Sequence, residues 1–187
     1  MGEPGRIEVI CGPMFAGKTE ELLRRVRRAA VAGREVRVFG HVLDTRSGAA
    51  RLRSHAGVDH PAELVSSATG IEERIGEPTG LIAVDEAQFF GPELVEVAAR
   101  LAGRGVTVLI AGLDVTFEGR PFEPLPSLMA LAERVDKLTA ICVVCGEEAV
   151  FHARRSTIGR SGTELVPEHV GGQETYEARC RRHFPAG

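Results

Sequence analysis

The residues best suited to chemistry form an octapeptide near the start of the chain, Gly12-Pro13-Met14-Phe15-Ala16-Gly17-Lys18-Thr19. Its spacing fits G-x-x-x-x-G-K-[ST], a phosphate-binding loop. In such a loop, backbone N–H groups and the start of the following helix point at an anion. Lys18 would reach the β- and γ-phosphates, and the hydroxyl of Thr19 would bind Mg²⁺. The octapeptide therefore predicts that the chain binds a nucleoside triphosphate.

Two adjacent carboxylates, Asp85 and Glu86, follow an apolar segment further along the chain. In proteins with a phosphate-binding loop, an acidic residue at this place holds Mg²⁺ and is usually Asp. Glu86 would then accept a proton from an attacking hydroxyl group or water. The pair does not separate a kinase base from an ATPase base. A third interpretation is that the two acids cap the next helix.

Paired ligands for a metal lie near the C-terminus. Cys142 and Cys145 form a C-x₂-C pair, and Cys180 and His183 form a C-x₂-H pair. Two such pairs fit tetrahedral Zn²⁺, and because no further ligand is evident we expect a structural site. A metal also suits a segment of about 45 residues, which is too short to rely on an apolar core alone. The fourth cysteine, Cys11, is expected to be a buried, small apolar residue.

Apolar segments that alternate with helical patterns would position these groups. Strands are predicted over residues 7–10, 35–39, 80–84, 105–110 and 137–141, with helices from residue 20 and over 92–101. This alternation indicates a parallel sheet with helices on both faces, in which ligands gather at the carboxyl ends of the strands. After residue 142 we predict a hairpin from segments 149–154 and 163–167, a loop at 171–172 and a short C-terminal helix.

Length and charge limit the possible functions. The 187 residues divide into a nucleotide-binding α/β domain, residues 1–141, and a zinc-binding domain, residues 142–187. The net charge of −3 argues against a broad nucleic-acid surface. No long apolar segment or leader is present, so we expect no membrane association and a cytoplasmic protein.

Taken together, the motifs resemble those of the type II thymidine kinases. The matching segments run in order across nearly the whole chain: the octapeptide, Asp44-Thr45-Arg46, Asp85-Glu86-Ala87-Gln88-Phe89, Gly112-Leu113-Asp114, Phe117 to Phe122, both metal-ligand pairs, Gly171-Gly172 and Tyr176. The octapeptide alone would be weak, but the combination is highly specific. The resemblance implies a RecA-like parallel sheet flanked by helices, a small zinc-ribbon-like lasso domain and a homotetramer. The implied activity is ATP-dependent phosphorylation of the 5′-hydroxyl of thymidine, and of deoxyuridine, for nucleotide salvage.

The resemblance also implies roles for single residues at the reaction centre. Glu86 would be the base on the thymidine 5′-hydroxyl. Lys18 would stabilise the transferring phosphoryl group together with Arg46, from a mobile loop over residues 44–57. Mg²⁺ would rest on Thr19 and, through water, on Asp85. Gln88 would join the ATP site.

The implied thymidine pocket is lined by Met14, Leu113, Phe117 and Tyr176. The lasso, Val170-Gly171-Gly172-Gln173-Glu174-Thr175, would bind the base edge through backbone groups. His152 stands where many members place a small hydroxyl residue against the thymine methyl group. Its ring is expected either to border that pocket or to turn towards solvent or a lasso carbonyl. Because the phosphate-binding loop belongs to the other domain, zinc loss is expected to weaken thymidine binding more than ATP binding.

Two other functions compete with the kinase. The first is an ATPase or helicase-like module whose zinc ribbon binds nucleic acid, which the sequence from Asp85 to Gln88 superficially favours. The single short nucleotide-binding domain and the negative net charge argue against it. The second is a zinc-stabilised nucleotide sensor without catalysis, which would leave Glu86 and Arg46 without a role.

Overall fold

The computed structural model describes residues 5–44, 51–53, 57, 59–76, 80–155 and 175–184. Its strands, numbered along the chain, are β1 (Arg6–Gly12), β2 (Val36–His41), β3 (Arg51–Arg53), β4 (Asp59–Pro61), β5 (Glu63–Val65), β6 (Leu81–Val84), β7 (Thr107–Leu113), β8 (Arg134–Lys137), β9 (Ala140–Ile141), β10 (Glu148–Ala149), β11 (Phe151–Arg154) and β12 (Tyr176–Arg179). Its helices are α1 (Lys18–Val31), α2 (Ala68–Glu72), α3 (Glu93–Gly103) and α4 (Leu125–Leu131), with a 3₁₀ helix over Ala87–Phe90.

A parallel sheet forms the centre of the fold. Six of the described strands join it in the order β5-β2-β6-β7-β1-β8, and every neighbouring pair is parallel. Helix α1 packs on one face of the sheet, while α2, α3 and α4 pack on the other. This arrangement confirms the predicted α/β class. Among the described helices, none has both the length and the apolar character needed to cross a membrane.

Strand β1 shows why short apolar segments in the sequence become the central strands. Every residue of β1 after Arg6 is buried. Val9 and Cys11 pack on the side of α3, whereas Ile10 packs on the side of α1. A strand covered on both faces needs apolar residues at successive positions rather than at every second one. Such runs are therefore visible in the sequence, and β1, β2, β6 and β7 confirm the predicted strands.

The predicted strand over residues 137–141 is wrong in position. The strand that joins the sheet is β8, which starts three residues earlier than predicted, and Ala140–Ile141 instead pairs with Glu148–Ala149 outside the sheet. Strand β8 lies at the edge of the sheet, so it is exposed and joined to its neighbours by ion pairs in place of apolar contacts. Asp136 binds Arg25 at 2.8 Å, and Lys137 binds Asp114 at 2.7 Å. A charged edge strand of this kind has no apolar signature in the sequence.

Strands β9 to β12 form a separate group, which we call the small domain. Strand β9 pairs with β10, and β11 pairs with β12, both antiparallel. The predicted C-terminal helix is wrong, because Tyr176–Arg179 forms β12 and residues 181–183 form a turn. Tyr176 and Ala178 are buried while Glu177 and Arg179 are less so, and this alternation has the period of a strand. The predicted hairpin segment 163–167 lies outside the described residues.

Arg25 joins three elements of the larger domain. Its guanidinium binds Glu8 of β1 at 3.1 Å, Glu21 of α1 at 2.8 Å and Asp136 of β8 at 2.8 Å. The Arg25 side chain is only 11% exposed, whereas that of Arg24, which also binds Glu21, is 53% exposed. Hydrogen bonds from Arg24, and then Arg25, hold the pKa of Glu21 at about 2. Arg25 therefore attaches the edge strand and the helix to the central strand.

We expect Arg25→Met to lower the free energy of unfolding by about 2 kcal/mol, because it removes charge-assisted hydrogen bonds to three carboxylates at once, and Glu8 among them is buried. The matched control is Arg24→Met, which removes an exposed ion pair and should cost less than about 1 kcal/mol. Urea denaturation of both variants and the parent measures the difference. Equal losses in the two variants would show that the Arg25 network adds nothing to an ordinary surface pair.

Candidate active site and metal centre

The phosphate-binding loop, residues 12–19, joins β1 to α1 as predicted. Gly17 forms the N-cap of α1 with φ 82°, and Gly12 has φ 146°. A Cβ on Gly12 would lie 2.4 Å from the carbonyl oxygen of Leu138, so glycine is required there by space as well as by conformation. Phe15 also has a positive φ, 68°, although it carries a side chain. The loop therefore holds one residue in a costly backbone conformation.

Two side chains of the loop have polar partners nearby. The Lys18 Nζ donates a hydrogen bond to the carbonyl oxygen of Pro13 at 2.7 Å. The Thr19 hydroxyl donates to Asp85 Oδ2 at 2.8 Å. Strand β6 ends directly before Asp85, so this bond joins the end of that strand to the first turn of α1. A hydroxyl and a carboxylate oxygen this close are the hard oxygen donors that Mg²⁺ prefers, and the pair fits such an ion.

Glu86 follows with a left-handed backbone, φ 51° and ψ 46°, and is buried. The side-chain amide of Gln88 donates a short hydrogen bond to Glu86 Oε2. The oxygen of that amide accepts the N–H of Leu113 at 3.1 Å. Gln88 thus connects the Glu86 carboxylate to the end of β7. Glu86 is the N-cap residue of the 3₁₀ helix but makes no capping hydrogen bond with its side chain, and Asp85 Oδ1 accepts the N–H of Glu86 at 2.9 Å.

Residues predicted for the thymidine pocket meet beside the loop. The rings of Phe117 and Tyr176 lie 6.3 Å apart, and the rings of His152 and Tyr176 lie 5.7 Å apart, edge to face. His152 in turn reaches the backbone of Met14. Leu113 lies directly opposite Gly12 in the register of β1 and β7. Phe117, Tyr176 and His152 therefore form one ring cluster that reaches Met14, and Leu113 lies at the end of β7 beside the start of the loop.

His152 is 2% exposed, so the expectation that its ring turns towards solvent is wrong. Its Nδ1 accepts a hydrogen bond from the Met14 N–H at 3.4 Å. Burial, and then the charge of Lys18, lower the pKa of His152 to about 4. The ring is therefore neutral near pH 7, as an acceptor at Nδ1 must be.

The small domain packs directly on the phosphate-binding loop. Phe15 and Ala16 lie against a cluster that we call the small core, formed by Ala140, Cys142, Ala149, Ala178 and Cys180. The loop joins β1 to α1 of the larger domain and also contacts the small domain. The sequence did not predict this contact, because the two segments are more than a hundred residues apart in the chain.

The four predicted zinc ligands come together. The donor atoms of Cys142, Cys145, Cys180 and His183 all lie within 4.8 Å of one another. The Sγ atoms of Cys145 and Cys180 are 3.8 Å apart, and the Cys180 Sγ is 3.3 Å from His183 Nδ1. A tetrahedron with Zn–S bonds of about 2.3 Å has S···S edges of about 3.8 Å, so the donor set fits Zn²⁺. Burial raises the pKa of Cys142, but backbone N–H groups outweigh it and lower that pKa to about 6, which favours the thiolate.

Several predicted site residues lie outside the described residues. They are Arg46, Val170, Gly171, Gly172, Gln173 and Glu174. Thr175, the last residue of the predicted lasso, is described, and its carbonyl oxygen accepts the N–H of Arg155 at 2.9 Å.

One ion pair beside the site, between a buried carboxylate and a half-exposed lysine, was not predicted. Asp114, after β7, binds Lys137 of β8, so the pair spans the end of β1 between them. Asp114 is buried, and its Oδ1 has no hydrogen-bond partner by ordinary geometric criteria among the described residues. Burial, and then Asp114, raise the pKa of Cys11 to about 12, which confirms Cys11 as a buried, inert residue. The sequence signal that could have indicated the ion pair is Asp114 itself, an acidic residue directly after an apolar strand.

We expect the stability of the protein to fall in acid partly through His152. The unfolded His152 has its ordinary pKa of 6.5 and the folded one about 4, so below pH 6.5 the unfolded chain takes up the extra proton. Stability is full above about pH 6.5 and declines as the pH falls towards 4. His152→Asn keeps an acceptor but does not titrate, so its loss between pH 7 and pH 5 should be smaller by about 2 kcal/mol.

Denaturant titration of both proteins at the two pH values measures this difference. Since both share the same Cys and His ligands, acid release of metal contributes equally and cancels. Parallel declines in the two proteins would show that His152 is not the group that takes up the proton.

The comparisons with known proteins agree with this geometry. A protein described as thymidine kinase from Bdellovibrio bacteriovorus is 45% identical over 180 residues, which is 96% of this chain and 85% of that protein. The sequence model of the family described as thymidine kinase matches residues 5–184, almost the whole chain. The chain belongs to the thymidine kinase family.

Proposed function

We propose that this chain transfers the γ-phosphoryl group of ATP to the 5′-hydroxyl of thymidine, and also accepts deoxyuridine. Thymidine phosphorylation for nucleotide salvage follows from family membership, whereas ATP as the donor, deoxyuridine as a substrate and the residue roles below are our inference. The observation that carries the mechanism is the pair Asp85 and Glu86. Asp85 accepts a hydrogen bond from Thr19 of the phosphate-binding loop, and Glu86 follows it directly.

The phosphate-binding loop, Gly12-Pro13-Met14-Phe15-Ala16-Gly17-Lys18-Thr19, would hold the phosphates of ATP. Its N–H groups and the start of α1 supply partial positive charge. Lys18 would exchange its hydrogen bond to Pro13 for one to the transferring phosphoryl group. Arg46, proposed from the resemblance, would add a second cation there. Mg²⁺, held by Thr19 and Asp85, would neutralise charge on the phosphate oxygens.

Glu86 would act as the general base. As the 5′-oxygen of thymidine attacks the γ-phosphorus, the bond from phosphorus to the bridging oxygen of ADP breaks and the hydroxyl proton passes to the Glu86 carboxylate. Gln88 orients that carboxylate through its hydrogen bonds to Glu86 and to the backbone of Leu113. We therefore propose that Gln88 positions the general base, Glu86, in addition to its place in the ATP site.

The thymine ring would lie among Met14, Leu113, Phe117 and Tyr176. Their mixture of aliphatic and aromatic side chains suits a flat base, and aromatic rings bind such faces favourably. The lasso over residues 170–175 would bind the base edge through backbone groups. The guanidinium of Arg154 lies 5.0 Å from the centre of the Phe117 ring and supports that ring from one side.

The metal centre would hold one structural Zn²⁺ through Cys142, Cys145, Cys180 and His183. A set of three thiols and one imidazole favours zinc over a hard ion such as Mg²⁺. We further propose a homotetramer that works in the cytoplasm without a nucleic-acid partner. The homotetramer depends on the resemblance alone, and the absence of a nucleic-acid partner depends on the net charge of −3.

The activity is tested with purified protein, labelled ATP, Mg²⁺ and a panel of nucleosides. We expect the 5′-monophosphates of thymidine and deoxyuridine, and little product from deoxycytidine or purine deoxynucleosides. ATP hydrolysis that is stimulated by nucleic acid, with no nucleoside phosphorylated, would instead favour the helicase-like alternative.

The role of Glu86 as general base is tested by substitution. Glu86→Gln should lower kcat by roughly 10²–10⁴-fold while ATP still binds, because the amide cannot take up the proton. The matched control is Glu96→Gln on α3, whose side chain is 81% exposed and which should behave as the parent. Steady-state kinetics with thymidine, and ATP affinity by calorimetry, separate the two effects. Turnover by Glu86→Gln close to that of the parent would remove Glu86 from the mechanism.

A further inference from the structure

We propose that the small domain holds the phosphate-binding loop in its ATP-binding conformation, so that the metal centre controls ATP affinity as well as nucleoside affinity. This inference depends on the proposed function only in taking ATP as the ligand of the loop and Zn²⁺ as the metal. It assigns His152 and Phe15 as positioning residues for the phosphates of ATP.

The first step is the conformation of Phe15. Its φ of 68° lies in the left-handed region that residues with a side chain rarely adopt. Such a conformation is unfavourable and persists only where the surroundings enforce it. A residue with a Cβ relaxes to a negative φ where its surroundings allow it. The contacts that Phe15 makes outside the loop therefore help to decide whether it keeps this conformation.

The second step is the contact that the small domain provides. Phe15 and Ala16 pack against the small core. Two of the five residues of that core, Cys142 and Cys180, are also proposed metal ligands, and the other three are alanines. Alanines bury little apolar surface, so the core depends on the metal to stay closed.

The third step is a polar connection to the same loop. The His152 Nδ1 accepts the Met14 N–H, next to Phe15. His152 lies on β11 directly opposite Ala178 of β12, and β12 ends one residue before Cys180. A hydrogen bond and an apolar contact therefore connect two successive loop residues to strands that end at the metal centre.

Together these steps predict what metal loss does. Without the metal, the thiols of the small core lose their common partner, and the core loosens. Phe15 and Met14 then lose their external contacts, and the loop relaxes away from the conformation that directs its N–H groups at phosphate. Lys18 and Thr19 remain in the sequence, but their backbone frame is no longer fixed.

The test uses the full-length protein with zinc bound and after treatment with a chelator, with metal content measured. Binding of a non-hydrolysable ATP analogue, followed by calorimetry with Mg²⁺ present, is the readout, and far-UV circular dichroism reports whether the sheet persists. We expect the Kd for the analogue to rise by roughly 5–150-fold in the stripped protein, the usual range for coupled sites. An unchanged Kd in stripped, folded protein would overturn the inference.

Substitutions decide the question even if the stripped protein unfolds. With zinc bound, His152→Ala should weaken binding of the ATP analogue several-fold, and His152→Asn, which restores an acceptor for the Met14 N–H, should recover much of the loss. The matched control is Val144→Ala, in the segment between the first two proposed metal ligands. Val144 is 52% exposed, so this substitution should leave ATP affinity unchanged. ATP binding by zinc-loaded His152→Ala equal to that of the parent would overturn the connection.

The outcome is distinguishable from failure of the proposed function. A protein that phosphorylates thymidine but binds ATP equally with and without zinc keeps its function and loses this inference. A protein that phosphorylates no nucleoside but binds ATP only with zinc keeps the inference and loses the function.

Discussion

The hydrogen bond from Thr19 to Asp85 joins the two parts of the site that must act together. It connects the first turn of α1, which carries the phosphate-binding loop, to the end of β6, which carries the acids. These segments are distant in sequence and are separated in the sheet by β7. Because the strands are parallel, their carboxyl ends meet at one edge, and the bond fixes Glu86 relative to the loop. The proposed roles of Glu86, Lys18 and Mg²⁺ all require this fixed position of Glu86 relative to the loop.

Strain is present on both sides of this bond. Phe15 and Glu86 are the residues other than glycine with positive φ in the described part of the chain. Gln88 secures Glu86 from one side, and the small core secures Phe15 from the other. Residues in rare backbone conformations commonly cluster where groups must be preorganised for reaction. Glu86 is held by a residue two positions further along the chain, whereas the core that contacts Phe15 lies more than a hundred residues away in the sequence.

The parts of the molecule that the sequence predicted are those with a local signature. The loop from Gly12 to Thr19, the buried strands and the four metal ligands each follow from residue type and spacing. Strand β8 was misplaced because an edge strand held by ion pairs has no apolar pattern, and β12 was missed because its pairing with β11 is long-range. The hydrogen bond between Met14 and His152 spans 138 positions, and no spacing rule reaches that far. The contact of the small domain with the loop was missed for the same reason.

The crossing of Gln88 over β7 has a consequence for how this chain can diverge. A methyl group at position 112 would lie 2.8 Å from Leu125, 3.0 Å from the Gln88 oxygen and 3.2 Å from the Ala87 methyl. Leu125, Gln88 and Ala87 together therefore require glycine at position 112, and the two closest contacts would remain even with glycine at position 87. Any side chain at position 112 should displace the Gln88 amide, and with it the Glu86 carboxylate that this amide binds.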